Sequence, residues 1–165
     1  MTTYASAELH PHAFLLQRVQ PAMIGLIDGS LSTLAPIFSV AIVTHKPHYA
    51  FIAGVATAIG AGISMAFSEG LSDTGELTGR GNPFMRGTIT GIGTFIGGIL
   101  HTLPFLIPHY DAAIISAVIV VALELVLLAW LRWRFFEVGF VRALASVTLG
   151  GIVIAAVSAA LGSAG

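Results

Sequence analysis

At 165 residues, with 56% hydrophobic and only 9% charged side chains, the chain is far more apolar than a soluble domain, in which about 25% of residues are charged. A net charge of −1 offers no basic footprint for nucleic acid, and the absence of cysteine excludes disulfides, thiolate metal ligands and iron–sulfur clusters. The mean hydropathy of +0.92 marks an integral membrane protein, with room for about five spans of roughly 20 residues and none for a second globular domain.

The segment from Met1 to Gln20 holds Glu8, His10, His12 and Arg18 around the modestly amphipathic piece Phe14–Val19, suited to the membrane surface. It lacks the basic start, apolar core and small-residue cleavage site of a signal peptide, so the first span is expected to be retained, with 1–18 as a tail and 19–165 as the membrane domain. His10 and His12 read as solvated tail residues.

Span one is expected over 19–44. It contains Asp28, a carboxylate inside a membrane-length run, where an ionised side chain costs at least ~2.5 kcal/mol and therefore marks a functional site. Asp28, Ser32 and Pro36 recur every four residues and share one helix face. Pro36 removes a backbone bond and is expected to loosen the helix near Ser32, where the hydroxyls of Ser32 and Thr33 answer freed carbonyls.

Span two, 49–68, carries Gly54, Ala58 and Gly62 at the spacing of a close helix contact. If its helix continues beyond the lipid, Met65, Glu69, Asp73 and Glu76 form one stripe that begins with a thioether and becomes acidic. Such a stripe is either a cation-collecting mouth or a solvated helix end. Gly79, Gly81 and Pro83 then break the chain direction.

Span three, 87–107, aligns Gly93, Gly97 and His101 on one face. Span four, 112–131, contains a second intramembrane carboxylate, Glu124, and ends in Trp130 and Trp133 interleaved with Arg132 and Arg134, an interfacial anchor. His101 and Glu124 are candidates for a proton relay, the alternative for each being a hydrogen bond to a neighbouring helix. Span five, 141–161, is rich in small residues. The fold class is thus all-α, a bundle of five transmembrane helices. Placing the N-terminus in the cytoplasm puts Arg18, Arg80, Arg86, Arg132, Arg134 and Arg142 on the inner side and only Lys46 on the outer.

The run Gly25-Leu26-Ile27-Asp28-Gly29-Ser30, followed by Ser64-Met65 and Glu69, resembles the vacuolar iron transporter family. The stretches Leu31 to Pro36, Leu77 to Gly81 and Gly98 to Pro108 are most similar to the membrane domain of bacterial membrane-bound ferritin. The resemblance implies a homodimer in a bacterial inner membrane that exports ferrous iron, and manganese, from the cytosol in exchange for protons. It further implies that Asp28 and Met65 line the metal path between protomers, with Glu69 the carboxylate that follows. Two features depart from the family. The connection from Gly70 to Met85 is too short for the Glu-rich helical insert of plant members, and Met1 to Gln20 cannot encode the di-iron bundle of ferritin-linked ones. Cytosolic metal capture is therefore lacking or left to a partner such as a cytosolic iron-storage protein.

Ligand chemistry agrees with this independently, because carboxylates with one thioether and no thiolate suit a divalent first-row ion such as Fe²⁺ or Mn²⁺ better than Mg²⁺ or Ca²⁺. The metal is cargo and no cofactor is expected. No nucleophile and base stand at a recognisable spacing, so an enzyme is not expected. The competing reading is a non-transporting membrane anchor or docking partner for an iron-storage protein.

Overall fold

The computed structural model describes residues 13–76 and 78–163. Glu8, His10, His12 and Leu77 lie outside the described residues. A π-helical turn at Leu15–Val19 leads into α1 (Gln20–Ser32) and α2 (Leu34–Thr44), which together make one jointed rod. There follow α3 (Pro47–Ser72), α4 (Pro83–Leu100), a short 3-10 turn at Leu103–Leu106, α5 (Tyr110–Phe136) and α6 (Phe140–Ser163). Ala13 and Phe14 are helical ahead of the first turn, the other described residues outside these elements form turns and loops, and no described residue is in a strand.

Four stretches, Leu15–Thr44, Pro47–Ser72, Tyr110–Phe136 and Phe140–Gly162, are long and apolar enough to cross a membrane. Their outward residues, among them Ile52, Ile63, Leu123 and Ile152, are exposed large apolar side chains, as lipid-facing positions should be. The 18-residue α4 differs: glycine and threonine take places where the other helices carry leucine and valine. That composition suits its position between α1 and α3, its two principal partners. In hydrocarbon no hydrophobic force draws helices together, so association rests on close van der Waals packing of small residues. Gly25 and Gly29 of α1 lie so near α4 that a Cβ on either would overlap the carbonyl oxygen of Thr90 or Thr94. On the other side of α4, Gly91 meets Gly62 and Ala66 of α3.

The helix limits differ from those expected and each difference has a local cause. The third helix begins at Pro83 rather than 87, because Asn82 caps it, its side-chain oxygen accepting from the Met85 N–H at 3.1 Å, with proline in the first turn. It ends at Leu100 rather than 107. Pro104 has no N–H to give to the Leu100 carbonyl and disfavours helical geometry at Leu103, so the chain passes through His101 and Thr102 into the 3-10 turn.

The joint between α1 and α2 falls at Thr33. Pro36 leaves the Ser32 carbonyl without its usual donor, and the Ile37 N–H reaches the Thr33 carbonyl only at 3.3 Å. Beyond the joint, Ile37 and Ala41 pack with Ala50, Phe105, Ala113 and Ala117 in a buried cluster. The rod stops at His45, which takes a left-handed conformation and sets its ring against that of Tyr110, centroids 4.7 Å apart and planes tilted by 43°. Against this half of the molecule, α6 packs on α2 and α5.

Candidate functional site

Asp28 lies near the middle of the 30-residue first rod. It is half-buried, and no hydrogen bond or ion pair joins its carboxylate to another described residue. Its helical neighbours Gly25 and Gly29 are the ones that touch α4, so Asp28 stands at the flank of the α1–α4 seam. Met65, also half-buried, directly precedes Ala66, which packs on Gly87 and Gly91, and so flanks the α3–α4 seam in the same way.

The other intramembrane acid is paired through one of its oxygens. Glu124 of α5 and His101 at the end of α4 are both buried, with His101 Nδ1 at 2.9 Å from Glu124 Oε2. The opposite ring nitrogen, Nε2, lies 2.7 Å from Thr33 Oγ1, whose hydroxyl is in turn 2.8 Å from the Gly29 carbonyl. A polar chain thus runs through the core from α5, across the end of α4, to the joint of the first rod and back to the residue beside Asp28. Glu124 Oε1 is buried without a partner. His101 and Glu124, read separately in the sequence as relay candidates, are brought together; Thr33 is the member that reading missed. Its position three residues before the helix-loosening Pro36 was the available signal.

At the opposite end of α3 the acidic stripe takes a different form. The helix stops at Ser72; Asp73 is extended and Glu76 sits exposed in a turn, so neither continues the face that Met65 and Glu69 begin. Glu69 and Asp73 are clamped by two arginines. Arg80 Nη2 is 2.6 Å from Glu69 Oε1 and its Nη1 is 3.2 Å from Asp73 Oδ2. Arg86, fully buried in the first turn of α4, reaches Glu69 at 3.2 Å and Asp73 at 3.1 Å. Its second terminal nitrogen also donates to the carbonyls of Glu69 and Asp73. Hydrogen bonding from Arg86 holds the Asp73 carboxyl below the usual aspartate range, against a smaller opposing effect of desolvation. Two carboxylates and two guanidiniums cancel, and the stripe is an ion-paired latch joining α3, the loop and α4. A cation arriving at Glu69 Oε1 or at either oxygen of Asp73 would compete with an arginine already seated there. Arg86 could have been anticipated, since a cation inside an apolar helix requires an anionic partner.

Among the described residues no three His, Asp or Glu side chains converge in a way that could hold a metal ion. Within one chain, Asp28 therefore stands as a single oxygen donor. An apolar cleft beside the joint, about 290 Å³ between Leu34, Phe38, Val121, Leu125 and Ile152, carries no charged side chain and is unsuited to an ion. Comparison with protein-family models, curated proteins and solved structures finds no match to this chain.

Proposed function

We propose that the protein is a membrane carrier that exports a divalent first-row metal, ferrous iron or manganese, from the cytosol in exchange for protons. The observation that carries this reading is the state of Asp28. Every other carboxylate among the described residues is either paired, as Glu69, Asp73 and Glu124 are, or exposed near a helix end, as Glu76, Asp111 and Glu137 are. Asp28 alone sits half-buried at mid-span without a protein partner. An anionic group left so at bilayer depth is costly, and a passing cation or proton is the partner that would relieve the cost.

One chain offers too few donors for a metal, and a homodimer with its seam beside Asp28 and Met65 would supply each donor twice. Two carboxylates and two thioethers suit a borderline ion, with water completing the shell. Glu69 and Asp73 have a different part in this scheme, since their arginine partners hold them in the resting latch. The orientation with the latch toward the cytoplasm follows the placement of the arginines.

The test is uptake of Fe²⁺, Mn²⁺, Co²⁺ and Zn²⁺ into liposomes containing the purified chain, with and without an imposed pH gradient. Flux of Fe²⁺ or Mn²⁺ that responds to the gradient is expected, and Asp28→Asn should abolish it at equal protein abundance. An anchoring protein would give no flux in either form.

A further inference from the structure

The joint at Thr33 and the buried pair above it form one hydrogen-bonded unit with three contacts: Thr33 to the Gly29 carbonyl, Thr33 to His101 Nε2, and His101 Nδ1 to Glu124. Each contact needs one proton. With three protons all are made: the Thr33 hydroxyl donates to Gly29, Nε2–H donates to Thr33, and one proton is shared between Nδ1 and Oε2. The unit is then neutral overall. Remove one proton and two remain for three contacts. A buried carboxylate cannot be left without a donor at acceptable cost, so Nδ1–H stays on Oε2, Nε2 becomes an acceptor, and the Thr33 hydroxyl turns from Gly29 to the ring. One proton has left, the unit carries one negative charge, and the contact that has broken is the one that ties the joint to the turn bearing Asp28.

We propose that Glu124, His101 and Thr33 are the proton-carrying site of the protein, and that the proton they share locks or frees the joint of the first rod five residues from Asp28. The proposal deepens the reading of the chain as a proton-coupled carrier and rests on it. The joint is poorly braced by backbone alone, since Pro36 has no N–H and the Ile37 bond is long. The Thr33–Gly29 bond therefore matters more than a side-chain bond in an unbroken helix would. Losing the proton also leaves a negative charge on Glu124 in a region of low dielectric, which favours a cation at Asp28 on the rod that Glu124 reaches through His101 and Thr33. Proton release and metal binding thus favour one another, as exchange requires. Among the described residues no other titratable group intervenes: α3 brings Gly54 to Thr102 and Ala58 to Gly98, the only ionisable residue of α6 is Arg142 near its start, and Glu124 is the sole acid in the membrane part of α5. Glu124 Oε1, buried and unpartnered, is a free acceptor through which the proton can enter.

The experiment uses the full chain in liposomes with Mn²⁺ as probe. Two rates are compared: net Mn²⁺ flux driven by a pH gradient, and Mn²⁺/Mn²⁺ counterflow, which needs no net proton movement. Glu124→Gln and His101→Gln should lose the first and keep the second. Thr33→Val should behave in the same direction, with Thr33→Ser restoring gradient-driven flux. Gradient-driven flux at the parental rate and pH dependence in Glu124→Gln would overturn the proposal. A parent that moves no metal at all would sink the carrier reading instead. Should the variants not fold, isotope-labelled histidine in the parent still decides: one buried ring must give up its Nε2 proton and keep Nδ1–H as pH rises, and a ring that keeps its Nε2 proton throughout overturns the site.

Discussion

Arg86 is the clearest case of a side chain whose cost is repaid only by its surroundings. Its guanidinium is fully buried and meets two carboxylates and two carbonyls. Replacing it with glutamine leaves Glu69 with a single cationic partner in a buried setting, and loss of one member of such a group costs about 3 kcal/mol. Arg86→Gln should therefore lower the thermal midpoint of the detergent-solubilised protein strongly. Arg86→Lys keeps the charge but not the planar fork and should fall between the two. The same latch predicts a pH dependence. Because Arg86 depresses the folded-state value of Asp73, its stabilising contribution is fully present above the ordinary aspartate value of about 3.9 and is lost as pH falls below that through the depressed value. A thermal-midpoint profile should show a falling acid limb in that window, and Asp73→Asn should shrink it; an identical limb in the variant would place the acid sensitivity elsewhere. At this scale the sequence was half legible. A carboxylate in an apolar run announces itself by composition, which is how Asp28 and Glu124 were found. Which cation or imidazole answers a given acid depends on contacts between residues 7 to 23 positions apart, from Asp73 with Arg80 to Glu124 with His101, and no helical spacing encodes those.

Helices in this protein are told apart by how near they let a neighbour come. The face of α1 that carries Gly25 and Gly29 is pressed against the α4 backbone, whereas Gly70 near the end of α3 has its nearest outside atoms at 3.6 Å and 3.9 Å. Gly25→Ala should force α1 and α4 apart and cost about 2 kcal/mol or more, in the range of overpacked cores. Gly70→Ala, with ordinary contact distances, should leave stability unchanged or raise it by up to roughly 1 kcal/mol through helix propensity. Equal thermal midpoints for the two variants would contradict the packing described. The small-residue spacing that made this contact foreseeable on α3 and α4 is readable because a four-residue repeat places glycines on one face. The helix ends were less readable, since Asn82 as a cap and Pro104 as a stop act through single hydrogen bonds that hydropathy does not register. The loosened turn before Pro36 was legible from proline chemistry; that His101 would brace it was not.

Taken whole, the described residues hold four stretches apolar enough to span a bilayer and one helix, α4, that is not and that packs between α1 and α3. Hydropathy reports lipid contact and membrane length, and α4 turns its glycine and threonine face to α1 and α3 while only the opposite face, with Phe84, Ile92 and Ile96, is apolar and exposed, which is why its mean hydropathy falls below that of the other spans. The exposed face of α3 carries a feature that bears on the proposed dimer. Ala56, Gly60, Ser64 and Ser68 follow one another at four-residue spacing, all exposed, and a Cβ added at Gly60 meets nothing within 4 Å. In a membrane such a stripe admits close approach of another helix, with the serine hydroxyls able to bond across the contact. Met65 is the next residue after Ser64, so a second copy seated here would bring two thioethers near the seam, as the proposed metal path requires. The chain contains no cysteine, so a single introduced thiol reports one contact without background. Ser64→Cys should form a disulfide-linked dimer under mild oxidation in native membranes, because paired Cα atoms within about 7 Å are needed for that bond. Ile152→Cys, on the exposed face of α6, should remain monomeric under the same conditions. Cross-linking at 152 and not at 64 would move the interface to the far side of the molecule, away from Asp28 and Met65, and with it would go the argument that two protomers complete the metal site.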